Sequence, residues 1–138
     1  MVQVTVDKVG LDQDGEQAVV LLADLTKSTL IPIWIRAMEA TAIALPLQGL
    51  KAPRPLTSDL VISVIEHLGA EVVMAIIREI KDGTFYASLV LTRGDEEIEI
   101  DCRPSDAIAV ALRRASPIYV MERVLAEAGI RSEEDTVQ

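Results

Sequence analysis

The residues best suited to chemistry gather in one run, Asp101-Cys102-Arg103-Pro104-Ser105-Asp106. Asp101 and Asp106 offer the hard oxygen donors that Mg²⁺ or Mn²⁺ takes while keeping part of its water shell. Arg103 has the fork geometry that clamps a phosphate through two parallel N–H bonds. A metal or base to activate water, next to cations that stabilise charge on phosphate, is what phosphodiester hydrolysis needs. The same residues also have an architectural account. Pro104 fits the first position of a helix, which makes Arg103 its N-cap and Asp106 its third residue. The residue before a proline prefers extended backbone, as a cap requires. Asp106 then complements the helix dipole, Ser105 bonds locally, and Asp101 pairs with an arginine.

Those side chains must be positioned by a strand that ends, and a helix that starts, at this run. Glu96 to Ile100 alternates and reads as the strand; Ala107 to Leu112 is alanine-rich and reads as the helix. Upstream, Val2-Gln-Val-Thr-Val-Asp7 alternates, Asp12-Gln-Asp-Gly15 is a turn, and Ala18 to Leu25 is a second strand. Leu30 to Ile35 is a third, with Pro32 placing it at an edge or a strand start. Its Trp34 is expected to pack on a neighbouring layer or subunit. Met38 to Leu50 reads as a helix that Pro46 should kink or end early. Lys51-Ala-Pro-Arg-Pro-Leu56 is a stiff connector, after which Thr57 or Ser58 caps a helix closed by Gly69. Val72 to Lys81 and Phe85 to Thr92 flank Asp82-Gly83, a strong hairpin signal. Val72 to Ile77 is apolar on both faces, which suits a covered strand or a subunit interface. A short strand at Pro117 to Val120, a last helix from Met121 to Ala128 and a polar tail over 131–138 complete the chain. The expected fold is α+β: a mostly antiparallel or mixed sheet with hairpins and about four helices, in one domain over 1–130.

The 138 residues carry a net charge of -9 and are half hydrophobic, with only 3% aromatic. Half-hydrophobic composition excludes a disordered chain, and the scarcity of aromatics leaves the core to Val, Ile, Leu and Ala. The acidic balance disfavours a general nucleic-acid binder, since such binding draws its strength from Lys and Arg. It is compatible with a nuclease whose carboxylates hold a metal. A lone cysteine, Cys102, excludes an internal disulfide and a cysteine-built metal site, and suits a reducing cytoplasm. No signal-peptide pattern and no membrane-length apolar run is present. The only histidine, His67, falls at a helix C-terminus, where a cationic ring suits the dipole better than it suits catalysis.

Two segments look alike. Glu39-Ala-Thr-Ala-Ile-Ala-Leu45 parallels Asp106-Ala-Ile-Ala-Val-Ala-Leu112, each after a hairpin and a strand. A duplicated β-hairpin–strand–helix unit would give Glu39 and Asp106 equivalent places at two helix starts, facing each other across a pseudo-two-fold axis. Chance likeness between alanine-rich helices is the rival account.

Four segments, Leu30-Ile-Pro-Ile-Trp-Ile-Arg-Ala-Met-Glu-Ala, Pro53-Arg-Pro-Leu-Thr-Ser-Asp, Asp82-Gly-Thr-Phe-Tyr-Ala and Ile100-Asp-Cys-Arg-Pro-Ser-Asp-Ala-Ile-Ala, resemble the bifunctional nuclease domain family in content and order. The resemblance runs to about Gly129. It implies an α+β domain that degrades DNA and RNA, with Asp101, Arg103, Asp106 and Glu39 as the catalytic candidates. Asp101 and Asp106 are the metal candidates for Mg²⁺ or Mn²⁺, and Arg54, Arg103 and Ser105 the substrate-binding candidates. Arg36 stands where relatives often carry glycine. The alternative is a non-catalytic module that assembles as a homo-oligomer and binds a partner or small anion. Neither reading requires a membrane.

Overall fold

The computed structural model describes residues 1–132. Eight strands form one mixed sheet: β1 (Val2–Leu11), β2 (Gln17–Asp24), β3 (Thr29–Arg36), β4 (Glu71–Lys81), β5 (Thr84–Arg93), β6 (Glu96–Cys102), β7 (Ile118–Val120) and β8 (Ile130–Arg131). Four helices accompany it: α1 (Ala37–Leu47), α2 (Thr57–His67), α3 (Pro104–Arg113) and α4 (Glu122–Ala128). The spatial order is β6-β5-β4-β7-β1-β2-β3-β8. The α+β expectation thus holds, and the acidic tail, from residue 133 onward, lies outside the described residues.

Two antiparallel meanders, β1-β2-β3 and β4-β5-β6, each lead directly into a helix, α1 and α3. β7 is inserted between them, antiparallel to β1 and parallel to β4. The two meanders therefore run in opposite senses on either side of β7.

Alternation explains the core. Ala18, Val20 and Leu22 of β2, Ile31, Ile33 and Ile35 of β3, and Ala87, Leu89 and Leu91 of β5 point to one face and are buried. Successive strand residues take opposite faces, so the residues between them line the outward face. α3 is the central helix and is buried from Ala107 through Ala111. Its three alanines let α1 and α2 pack close against it, while Ile108, fully buried, contributes about 2 kcal/mol by leaving water. β4 is an inner strand whose consecutive Ala75, Ile76 and Ile77 are all buried, as two-sided apolarity predicts.

α1 closes at Leu47, one residue past Pro46, the early end that the proline implies. One local detail differs from expectation. The N-cap of α2 is Leu56, so neither Thr57 nor Ser58 caps it. Asp59 does that work from the third helical position, accepting the Leu56 N–H at 2.8 Å. A carboxylate with reach satisfies the orphan amide that a hydroxyl at the cap would leave to water.

Candidate functional site

Arg36 is at once the last residue of β3 and the N-cap of α1. Arg103 follows β6 and caps α3 with extended backbone, with Pro104 at the first helical position and Asp106 in the first turn. Both helices start without a connecting loop, which fixes their first turns to the sheet. The third residue of each is an acid: Glu39 in α1 and Asp106 in α3.

The two helix mouths are joined by Arg103. Its Nε donates to Asp106 Oδ2 at 2.8 Å and its Nη2 to Asp106 Oδ1 at 3.1 Å. Its Nη1 donates to Glu39 Oε2. Glu39 Oε1 meanwhile accepts the Arg36 N–H at 2.9 Å, so this carboxylate both caps α1 and holds the arginine of α3. The Arg103 side chain is 65% exposed, whereas Glu39 is 19% exposed. Asp106, through its hydrogen bonds and charge, and then Glu39 raise the Arg103 pKa, keeping the guanidinium charged. Five N–H donors sit on a guanidinium. Three are engaged here, so two remain for a ligand.

Asp101 lies on β6 opposite Ser88 of β5 and is exposed. It makes no hydrogen bond or ion pair among the described residues. Cys102 beside it turns inward and is half-buried. Burial, with Asp106 and then Asp101 adding negative charge, pushes its thiol up to about 11. A thiol that stays protonated at neutral pH is no nucleophile. Asp101 and Asp106 stand on either side of Cys102 in sequence, at the end of β6 and in the first turn of α3. Among the described residues no three of His, Cys, Asp and Glu converge as a ready-made metal cage. Two carboxylates completed by waters and substrate phosphate are nonetheless a usual way to hold Mg²⁺. Ser105 is buried beneath the helix start.

The other candidates separate from this cluster. Arg54 is exposed in the connector between α1 and α2 and bonds to nothing described. Asp59 receives Arg113 Nε at 2.9 Å, and its pKa is lowered, chiefly by the Leu56 N–H and then by Arg113. Arg113 closes α3 at the end opposite Arg103, about 15 Å along the helix. A cavity of about 650 Å³ opens at that end, lined by Lys51, Pro53, Pro55, Asp59, Leu112 and Arg113 among others. His67 ends α2 and its Nδ1 lies 2.7 Å from the Ser63 carbonyl oxygen, the structural role expected of it. Trp34, expected to pack on a neighbouring layer or subunit, is 61% exposed on the outward face, so no layer of the same chain covers it.

Residues 20–133 match the bifunctional nuclease domain. The chain belongs to the bifunctional nuclease domain family. An uncharacterised protein of Mycobacterium tuberculosis strain H37Rv is 44% identical over 130 residues, covering 94% of this chain and 77% of that protein. Bifunctional nuclease 2 of Oryza sativa subsp. japonica is 34% identical over 122 residues, 86% of this chain but 38% of the rice protein. Bifunctional nuclease 1 of Oryza sativa subsp. indica is 30% identical over 123 residues, covering 87% and 37% respectively. The chain spans little more than a third of these rice proteins. The strand-to-helix junctions at Arg36–Glu39 and Arg103–Asp106 both fall inside the matched span. Among the described residues of this family member, no helix is long and apolar enough to cross a membrane.

Proposed function

We propose that this protein hydrolyses phosphodiester bonds in DNA and RNA at the junction of α1 and α3. The observation that carries the proposal is Arg103: a largely exposed guanidinium held between two helix N-termini by Glu39 and Asp106, with two N–H groups to spare. Both helix ends favour an incoming anion. A phosphate competes with the carboxylates for Arg103 and, on binding, loosens their hold. Arg103 then neutralises charge that develops on the phosphate oxygens. The displaced carboxylate of Asp106 or Glu39 is placed to take a proton from attacking water. Asp101 and Asp106 are the residues that would hold Mg²⁺ or Mn²⁺, which supplies an acidified water and further charge for phosphate. Arg103 alone faces the carboxylates of Glu39, Asp101 and Asp106, so the divalent ion is what would offset the repulsion between phosphate and this acidic chain. The lone protonated thiol agrees with a reducing cytoplasm as the working compartment.

The test is cleavage of single-stranded DNA and RNA by purified protein with Mg²⁺ or Mn²⁺, repeated with chelator. Asp101→Asn combined with Asp106→Asn should abolish it. Undiminished cleavage by that double variant would trace the activity to a contaminant and sink the site.

A second reading, a non-catalytic homo-oligomeric module, is favoured by one observation. Leu60, Val64 and Leu68 on α2 and its C-cap are 58%, 50% and 64% exposed at four-residue spacing. The stripe is symmetric about Val64, so an antiparallel two-fold copy would set Leu60 against the partner copy's Leu68 position. Such a patch alone is small against a standard interface, which predicts association in the micromolar range or weaker. Leu60→Glu with Leu68→Glu should convert the oligomer to monomer in sedimentation velocity. A wild-type chain that stays monomeric at high micromolar concentration removes this reading.

A further inference from the structure

The outward face of the β1–β3 meander ends at Arg36, whose N–H is bound by the Glu39 that holds Arg103, and its side chains are unlike those of the rest of the sheet. Register sets Lys8 of β1 beside Leu21 of β2 and Pro32 of β3. The next row is Gly10, Val19 and Trp34, and the last is Gln17 and Arg36. These rows hold two cations and one large aromatic ring; the last row also holds Asp12, whose carboxylate accepts the Gln17 N–H. Asp14 and Glu16 of the β1–β2 turn lie beyond it. On the far half of the same face, β6 presents Glu97, Glu99 and Asp101. The Trp34 half thus sets Lys8 and Arg36 against Asp12, whereas the far half sets Glu97, Glu99 and Asp101 against Arg78, so a polyanion meets less repulsion on the Trp34 half.

The shape of the row adds to the charge. Trp34 is the most exposed aromatic residue of the fold, 61% open to solvent, while its neighbours Val19 and Gly10 are low. Gly10 projects no side chain, and a Cβ there would only touch Val19 Cγ1 at 3.9 Å. From Trp34 to Gly10 the floor is two strand spacings wide, about 9–10 Å. A flat ring can lie beside the indole on that floor. Arg36 is two residues on, about 7 Å along the strand. Its own backbone N–H is bound by the same Glu39 that holds Arg103. Its side chain makes no hydrogen bond or ion pair among the described residues.

We propose that Trp34, flanked by Lys8 and Arg36, is a base-stacking subsite for single-stranded nucleic acid. Resting on the phosphodiester reading, it receives a nucleotide flanking the phosphate bound at Arg103. Stacking on an aromatic face tolerates any base, while cations track the backbone. The subsite thus fits a substrate class of unpaired strands without sequence preference, and explains why one site accepts both sugars. A duplex, whose bases are already stacked, gains nothing from Trp34. Trp34 and Arg36 are substrate-positioning residues; they do not take part in the proton transfers.

Trp34 is the only tryptophan, so its emission reports on the subsite alone. Wild-type protein is titrated with a ten-nucleotide oligothymidylate in low salt and chelator, which suppresses metal-assisted cleavage. Saturable quenching is expected, lost as salt rises. An abasic strand of the same length and a duplex should quench little. With a dye-labelled strand followed by anisotropy, Trp34→Ala should bind about 10- to 100-fold more weakly and Trp34→Phe should retain most of the affinity. Under cleavage conditions Trp34→Ala should raise KM far more than it lowers kcat. No quenching, or equal affinity in Trp34→Ala, overturns the proposal. So does emission that shifts with protein concentration alone, which would give this face to a second copy. Quenching without cleavage keeps the subsite and removes the hydrolase; cleavage without quenching does the reverse.

Discussion

Arg103→Ala should lower phosphodiester cleavage by about 10²- to 10³-fold, the loss typical when a preorganised donor to a developing anion is removed. Stability should change little. The ion pairs of Arg103 are formed by a side chain that is mostly in water, and exposed pairs contribute about 0–1 kcal/mol. Glu39 keeps a partner after the change, since its Oε1 still accepts the Arg36 N–H. The helix of α3 keeps its proline at the first position and its extended cap residue. Rate and stability are thus separable at this residue, which is what a chemical role predicts. Arg103→Lys sharpens the test. A lysine restores the charge but not the fork, so it cannot hold Asp106 through two bonds while reaching Glu39. Its activity should fall between alanine and wild type. The measurement is single-turnover cleavage beside urea denaturation of the same preparations. Wild-type rates in Arg103→Ala would show that the cluster only ties α1 to α3.

The half of the site that rests on local rules was legible in the residues. Pro104 announced the helix start, and position alone made Arg103 the cap and Asp106 the acid of the first turn. Glu39 was suggested by its likeness to Asp106, but no local rule says that Arg103 should reach across to it. That contact follows from α1 and α3 lying side by side, which the sheet order decides. The order in turn depends on β7, three residues that pair with β1 on one side and β4 on the other. A strand so short, with partners so distant in sequence, leaves almost no periodic signal. Asp59 is, like Asp106, the third residue of its helix, yet its carboxylate is spent on the Leu56 N–H and on Arg113. Trp34 stays open within one chain, although a large apolar ring is usually buried. Its strand alternates correctly; what could not be read is that no layer of the same chain covers the outward face there.

Arg113→Leu should destabilise the fold by about 3 kcal/mol, and the reason lies in Pro46. Proline has no N–H, so in α1 the carbonyl four residues earlier, that of Ala42, loses its helical donor. Arg113 Nη1 fills the gap, donating to Ala42 O at 2.6 Å and also to Ala109 O at 2.9 Å. The same side chain donates Nε to Asp59, so one arginine closes α3, repairs α1 and anchors the mouth of α2. It is only 11% exposed, and water cannot readily replace it. Leucine would conserve the packing while stranding the Ala42 carbonyl, at about 1–3 kcal/mol, and removing a charge-assisted bond worth about as much. A double-mutant cycle isolates the carbonyl. Pro46→Ala restores an N–H at position 46, so Ala42 O no longer depends on Arg113. In the Pro46→Ala background Arg113→Leu should therefore cost about 1–2 kcal/mol less than in the wild type. Urea midpoints at constant m-value give all four corners. Strict additivity would show that the bond to Ala42 contributes nothing, and would return the whole cost to Asp59. The proline that looks like a defect in α1 is then the feature that commits Arg113 to structure, leaving Arg103 as the arginine of this helix available for chemistry.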